Sequence, residues 1–433
     1  MNFKVITIFP DLITQFAGHG LLGKAVREGL ITLEAINLRE YAVNTQGQVD
    51  DTPFGGGSGM VMRPEPAFSA IDKIKAQHPD AKVIYFTPRG KQFGQADARR
   101  LANSSPTTQC SEKTSANSAS DKTQPTYIIL CSRYEGADQR IIDELVDEEF
   151  SIGDYVLMGG ETPAFVLLEA VVRLLPGVLG NPESTVQESF SHCLLEHPQY
   201  TKPREYSGLA VPEVLFGGNH AEIARWQKNQ AVNDTLIRRP ELITKALKPK
   251  APFYLALIHH PVYDKQGDVI ISSITNLDLH DIARSCKTFA VDRYYVAHPT
   301  KALRLLALKI LGHWEHGYGL TYNPNRSEAL ETISIVTDLD DVILAIEEKH
   351  KMLPRIIATS ARRGPHSTTF TEMRARLCLS DEPHLMLLGT GWGLTEEITS
   401  RADYMLEPVD GRGDYNHLSV RAAAAIMLSR LLG

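Results

Sequence analysis

Glycine-bearing turns set directly behind short strands restrict the fold of this chain more than any other feature. KVIYFT (82–87) runs into Pro88-Arg89-Gly90, and YIILC (127–131) into Ser132-Arg133-Tyr134-Glu135-Gly136. Further on, Ser151-Ile152-Gly153-Asp154-Tyr155-Val156-Leu157 leads into Gly159-Gly160-Glu161. Short apolar, β-branched runs of this kind read as buried strands. Helical patterns lie between them, which predicts an α/β fold with a parallel sheet. Turns at successive strand ends converge on one sheet edge, where such folds bind ligands. None has the GxGxxG spacing of a dinucleotide site, so backbone groups and a carboxylate such as Glu135 are expected to hold the ligand.

The second half repeats the logic. The spacing predicts strands at 253–258, 294–297, 332–336, 355–359, 385–389 and 404–407. Helices are predicted over 279–290, 301–313, 339–349 and 419–432. With 433 residues, 43% of them hydrophobic, the chain has material for two or three domains, each with a core. Lys245 to Pro252 (KALKPKAP) reads as a stiff linker and sets the boundary. Residues 103–124, rich in Ser, Thr and Asn, read as a flexible surface insertion between two strands. A softer break at Pro176 to Pro182 separates the helix 163–175 from a helical segment, 211–247. There Asn219 with Glu222 forms an N-terminal capping signal.

Several classes are excluded. Five cysteines without a CxxC pair make no disulfide framework or zinc site, and reduced thiols fit the cytoplasm. The N-terminal apolar run stops at Pro10-Asp11, unlike a signal peptide, and Ala422 to Ser429 is too short to span a bilayer. Net charge is −7, divided as −4 over residues 1–250 and −3 beyond. Any nucleic-acid contact must therefore come from local patches such as Arg238-Arg239 or Arg362-Arg363, pairs that also occur on any solvated face. Gly18 to Ala25 nearly matches a phosphate-binding loop, but Ala25 lacks the hydroxyl that would hold a magnesium ion. His259-His260 and His313 to His316 lack a third metal ligand nearby, so no resident metal is expected.

DDTPFGGGSGM (50–60), CSRYEG, SIGDYVLMGGE, RLLPGVLG, HPQYTKP and GNHAEIARW occur in that order. Together they resemble the bacterial tRNA (guanine-37-N1)-methyltransferases over residues 1 to about 245. The resemblance implies a trefoil-knotted SPOUT-type domain over 1–175, a linker and small helical tRNA-binding subdomain over 176–247, a homodimer, and S-adenosylmethionine as methyl donor. By motif, the donor site falls on Tyr85, Thr87, Pro88 and Gly90; on Ser132, Arg133, Tyr134, Glu135 and Gly136; and on Ile152, Gly153, Tyr155, Leu157, Gly159 and Gly160. The family's catalytic acid falls on Glu188, where aspartate is usual, and its arginine partner on Arg173. Ser132 stands where glycine is usual. Asp51, Gly59, Met60, His197, Tyr200, Asn219, His220 and Arg225 are the implied substrate contacts. The family's reaction is associated with Mg²⁺. The residue types suit the chemistry: a carboxylate can take the proton from guanine N1, and a guanidinium can stabilise charge growing on O6.

TNLDLHDIAR, GYGLTYNPNRSEAL, LLGTGWGL and YNHLSVRAA resemble a second SPOUT-type RNA methyltransferase over residues 252–433, of a family found fused to the first. Its implied site comprises Thr359, Gly389, Gly391, Trp392, Gly393, Leu394, Asn416, His417, Leu418 and Ser419. A weaker likeness to ribose 2′-O-methyltransferases would make Arg284 catalytic. This chain lacks the Glu of their GxExxGL loop and has His417 where they have Asn. Two readings follow for this half: methylation of a second RNA, or a non-catalytic RNA-binding or dimerisation module. Asn416 or Ser419 could cap the last helix, and Asn323 to Arg326 reads as a turn.

Overall fold

The structure is a computed structural model that describes residues 1–103, 124–181, 185, 188–316, 323–413 and 415–433. Apart from Asn103 and Gln124, the expected flexible insertion lies outside the described residues. So do most of 182–187, residues 317–322 of the GYGLTYNPNRSEAL motif, and Asp414. The chain forms two compact units, residues 1–188 and 189–433.

The first unit is built on β1 (Asn2–Thr7), β2 (Thr32–Asn37), β3 (Lys82–Gln92), β4 (Thr126–Leu130) and β5 (Glu148–Ser151). All pair in parallel, in the order β2-β1-β4-β3-β5. Side chains alternate between two faces, as strand geometry requires. Ile84 and Ile129 join the core beneath α1 (Pro10–Ala17), α2 (Gly20–Arg27), α4 (Gln95–Asn103) and α6 (Glu161–Val172). Val83, Ile128 and Leu130 join the opposite core, beneath α3 (Pro64–Gln77) and α5 (Gln139–Leu145). Burial on both faces explains why these strands read as continuous apolar runs.

β3 runs past the predicted end at Thr87. It pairs with β5 up to Phe86↔Phe150, breaks register, and pairs again at Lys91↔Phe150 and Gln92↔Ser151. Thr87 to Gly90 is thus an outward bulge within a strand, which Pro88 and Gly90 disguise as a terminating turn.

The second unit has β6 (Phe253–Ile258), β7 (Arg293–Ala297), β8 (Ile333–Val336), β9 (Arg355–Ala358), β10 (His384–Gly389) and β11 (Tyr404–Met405). They form a parallel sheet ordered β8-β7-β6-β10-β9-β11. Without the outer strand β8, this is the strand order of the first unit. Helix α9 (Asn276–Thr288), α13 (Phe370–Leu379) and α14 (Val420–Leu432) cover one face. Helix α12 (Leu339–His350) covers the other.

The helical segment after residue 189 belongs to this unit. Helix α7 (His220–Arg238) starts as expected, with the Asn219 side chain accepting from the Glu222 amide at 3.3 Å. Leu236 of α7 and Ile243 of α8 (Glu241–Ala246) pack with Ala375 and Cys378 of α13. Between α9 and α12 lie α10 (Lys301–Glu315) and α11 (Pro324–Leu330). The turn expected at Asn323 is instead the start of α11: Asn323 accepts from the Arg326 amide and Pro324 holds the first helical position. An Asn-Pro pair opens a turn and a helix with the same first bonds, and Ser327, Ala329 and Leu330, all buried, carry it on as a helix.

Candidate active site

At the carboxyl edge of the first sheet, the three turns enclose a cavity of about 460 Å³, within the size range of small-molecule sites. β3 supplies Tyr85 and its bulge Thr87 and Pro88. The turn after β4 supplies Ser132 to Gly136, and the segment after β5 supplies Ile152, Gly153, Tyr155, Leu157, Gly159 and Gly160. Gly90 does not line the cavity. It lies against β5, where a Cβ would stand 2.6 Å from the Phe150 carbonyl carbon. Phe86, Arg89, Phe150, Val156 and Pro163 also line the space. Their neighbours in sequence signalled the strand ends, but nothing local showed which way these side chains face.

The turns are fastened to one another. The Gly160 amide donates to the Ser132 carbonyl at 2.9 Å, and a Cβ on Gly160 would lie 2.8 Å from Cys131 Cα. The Ser132 hydroxyl and the Tyr85 phenol share a 2.8 Å hydrogen bond inside the cavity wall. Burial pushes the Tyr85 phenol up, so it stays neutral. Beneath the turns, buried Glu161 accepts from the Thr7 hydroxyl at 2.7 Å. Its other oxygen lies 3.0 Å from Arg133 Nε, an ion pair whose angle is not that of a hydrogen bond. The Arg133 guanidinium rests on the Phe9 ring at 4.6 Å. Burial, and then the charge of Glu161, push the Cys131 thiol far up, leaving it inert.

Arg173, directly after α6, meets Glu188 in a two-armed pair: Nη1 donates to Oε1 at 2.8 Å and Nη2 to Oε2 at 2.6 Å. Glu188 raises the affinity of the guanidinium for its proton. Neither residue lines the cavity. Asp51 pairs with Arg63 at 3.3 Å. Met60 accepts from the Glu135 amide at 3.1 Å. Gly59, at φ +92°, packs so closely that a Cβ would stand 2.5 Å from a Glu135 carboxylate oxygen. The DDTPFGGGSGM segment therefore reaches the second turn of the cavity. The remaining substrate candidates are in the second unit. Tyr200 lies 6.2 Å from the Trp226 ring, and His220 and Arg225 are exposed on α7. His197 Nδ1 lies 3.3 Å from the Pro198 carbonyl, and Asn219 is occupied as a cap.

In the second unit the turn after β10 is held against Tyr263. The Trp392 amide donates to the Tyr263 carbonyl at 2.8 Å and the Tyr263 amide to the Gly393 carbonyl at 3.0 Å. Gly389 and Gly391 leave no room for a Cβ, and Leu394 bridges Val262. In the first unit the bridge at this place, Met62 to Ala137, is parallel where that of Leu394 and Val262 is antiparallel. The backbone bonds match: the Glu135 amide donates to the Met60 carbonyl and the Met62 amide to the Gly136 carbonyl, as Trp392 and Gly393 bond to Tyr263. Trp392 thus takes the place of Glu135. Thr359 donates to the Leu387 carbonyl at 2.8 Å. Asn416 donates to the Ala361 carbonyl at 2.8 Å, while Ser419 caps α14. His417 and Leu418 are exposed between them. Arg284 lies apart, beside Asp281 and Ser285 in an open hollow of α9.

Sequence reasoning missed a buried cluster below this turn. His259 Nδ1 lies 2.9 Å from the Ser272 hydroxyl, which also bonds to Thr390 Oγ1. His298 Nε2 lies 2.9 Å from the Ser272 carbonyl. Burial, with some help from His298, pushes His259 down to about 4. Both histidines directly follow strands, and only that position could have marked them. Among the described residues no group of three or more His, Cys, Asp or Glu could hold a metal ion. No described helix is long and apolar enough to cross a membrane.

Comparison with known proteins adds two family matches. Residues 1–110 and 104–245 match the tRNA (Guanine-1)-methyltransferase TrmD model. Residues 252–433 match a model described as SAM-dependent RNA methyltransferase. The chain is 38% identical to a tRNA (guanine-N(1)-)-methyltransferase of Oleidesulfovibrio alaskensis, over 100% of this chain and 99% of the relative. It is 39% identical to the protein of that name from Nitratidesulfovibrio vulgaris, with the same coverage. A Neisseria meningitidis protein of that name is 45% identical over 58% of this chain and 93% of its own length.

Proposed function

The chain belongs to the tRNA (guanine-1)-methyltransferase family, and from that premise we propose that it methylates N1 of the guanosine at position 37 of tRNA, next to the anticodon. The observation that carries this reading is the Arg173–Glu188 pair. It is an acid–base group and a charge-stabilising group already in register, in the same unit as a donor-sized cavity.

The cavity suits S-adenosylmethionine. Pro88, Ile152 and Leu157 offer apolar wall for adenine, close-packed glycines expose backbone donors and acceptors, and Glu135 offers a carboxylate to hydroxyls or an ammonium. Bound there, S-adenosylmethionine supplies a methyl group on sulfonium, which needs no further activation. The protein's task is then the guanine. Neutral guanine carries a proton on N1, and Glu188 accepts it as N1 attacks the methyl carbon and the carbon–sulfur bond opens. Arg173, freed from one arm of its pair, donates to O6 as negative charge moves there. The proton on Glu188 then passes to solvent.

The domain scheme we infer is a trefoil-knotted donor domain over 1–175, a helical tRNA-binding piece over 176–247, and a second SPOUT-type domain over 252–433, acting as a homodimer. The matching strand orders support two versions of one fold. Exposed Val156 and Met158 beside the cavity support burial against a second copy. For residues 252–433 we infer methylation of a second RNA, supported by the family match. One observation favours the alternative of a non-catalytic RNA-binding or dimerisation module: by its backbone bonds Trp392 stands where the first unit has Glu135, which leaves that turn without its carboxylate.

Transcripts test the main reading. Methyl label from S-adenosylmethionine is expected to enter a tRNA transcript carrying G37 and to fall below about a tenth with A37. Equal labelling of both overturns the assignment.

A further inference from the structure

In the second unit, Trp392, His417 and Tyr415 form a short ladder of rings. The Trp392 and His417 centroids are 6.0 Å apart and the His417 and Tyr415 centroids 5.3 Å apart, each pair edge-to-face. Trp392 is 55% exposed and Tyr415 79% exposed. Large aromatic rings normally bury their faces. These cannot retreat. The Trp392 amide is bonded to Tyr263, and a Cβ on the preceding Gly391 would stand 2.7 Å from the same carbonyl oxygen. Thr390, one residue earlier, is anchored to Ser272 and to the Ile258 carbonyl. On the other side, Asn416, between Tyr415 and His417, is tied to the Ala361 carbonyl. Both segments are thus held from behind while the rings face solvent.

The charge beside the rings identifies the occupant. The bond from Asn416 to the Ala361 carbonyl ties the ladder to the backbone beside Arg362, and Arg412 precedes Tyr415 by three residues. Both are exposed, and among the described residues neither has a carboxylate in ion-pair range. Their neighbour Arg363, by contrast, is neutralised by Glu407 and Asp410. Exposed flat rings with unneutralised arginines on the adjoining backbone are what an unpaired nucleotide strand requires: bases stack on the rings and phosphates meet the cations. A duplex keeps its base faces covered and offers nothing to the rings.

We propose that the Trp392–His417–Tyr415 ladder is a stacking platform for unpaired bases of an RNA bound by the second unit. This rests on the reading that the second unit acts on RNA, and narrows its substrate to a single-stranded or looped region.

The test uses the full chain and a fluorescein-labelled oligoadenylate of about 12 nucleotides, within the usual site sizes for single strands. Binding is followed by anisotropy. Trp392→Ala is expected to weaken binding about 5- to 150-fold, the range for one lost base stack. Tyr415→Ala weakens it in the same direction, and Trp392→Phe stays within about threefold of wild type because a ring remains. Methylation of tRNA by the first unit is unchanged in all three, and the urea transition followed by the fluorescence of Trp226 and Trp314 keeps its wild-type midpoint, which shows that the second unit is folded. Trp392→Ala within twofold of wild type overturns the proposal. So does a loss of S-adenosylmethionine binding to the second unit with oligoadenylate affinity intact, which assigns the indole to the donor's adenine. If the second unit methylates no RNA while Trp392→Ala still weakens the oligonucleotide, the platform stands and the methyltransferase reading of this unit falls.

Discussion

Glutamine at position 188 separates base chemistry from structure. Glu188→Gln keeps the length of the side chain and one acceptor oxygen, so Arg173 Nη1 can retain a contact like its present 2.8 Å bond. The second arm, now 2.6 Å, is lost because the amide nitrogen faces another donor. The pair is partly exposed, so its loss costs about 1 kcal/mol of stability or less. The chemical loss is larger. A positioned base contributes about 10²- to 10⁴-fold to rate, or roughly 3–5 kcal/mol of barrier. With saturating tRNA and donor, initial rates of 1-methylguanosine formation should show kcat reduced by about 100-fold or more. KM for S-adenosylmethionine should hold, because Glu188 does not line the cavity. A kcat within about fivefold of wild type, with product still on N1, refutes the assignment.

Three further outcomes follow from the same geometry. Arg173→Lys keeps the charge but not the planar fork, so kcat should fall about 10- to 100-fold at unchanged donor KM; wild-type kcat removes Arg173 from the chemistry. A Cβ on Gly160 would stand 2.8 Å from Cys131 Cα. Gly160→Ala should therefore push the neighbouring turns away from each other and weaken S-adenosylmethionine binding by about 1–3 kcal/mol in calorimetry, and unchanged affinity means the turns do not hold the donor. His259 is pushed down to about 4 by burial, so the unfolded chain, titrating near 6.5, binds the extra proton first. Stability of the second unit is then intact above about pH 6.5 and declines towards pH 4, by about 3 kcal/mol in all. Trp226, Trp314 and Trp392 all lie in that unit, so tryptophan fluorescence in urea reports it, and a flat profile from pH 7 to 4.5 contradicts this linkage.

The strands were legible because parallel sheets buried on both faces leave unbroken apolar runs: β6 begins and ends at Phe253 and Ile258, as its sequence pattern predicts. The cavity was legible as three strand-end turns, since glycine marks where backbones approach too closely for a side chain. Less visible were groups whose partners are remote in sequence. Glu161 reads only as the end of the Gly159-Gly160 turn, yet it is buried between Thr7 and Arg133. His259, Ser272 and Thr390 meet only once β6 and β10 are paired. The packing of α7 and α8 against α13 is likewise a tertiary choice. The apolar residues Leu236 and Ile243 announce a buried face without saying what buries it.

Whether this chain methylates guanine N1 is decided by nucleoside mass spectrometry of unmodified tRNA treated with the full chain and S-adenosylmethionine. The expected product is 1-methylguanosine, recovered from the fragment containing position 37 and abolished by Glu188→Gln. A methyl group on ribose or another base atom there, or 1-methylguanosine undiminished in the variant, contradicts the assignment.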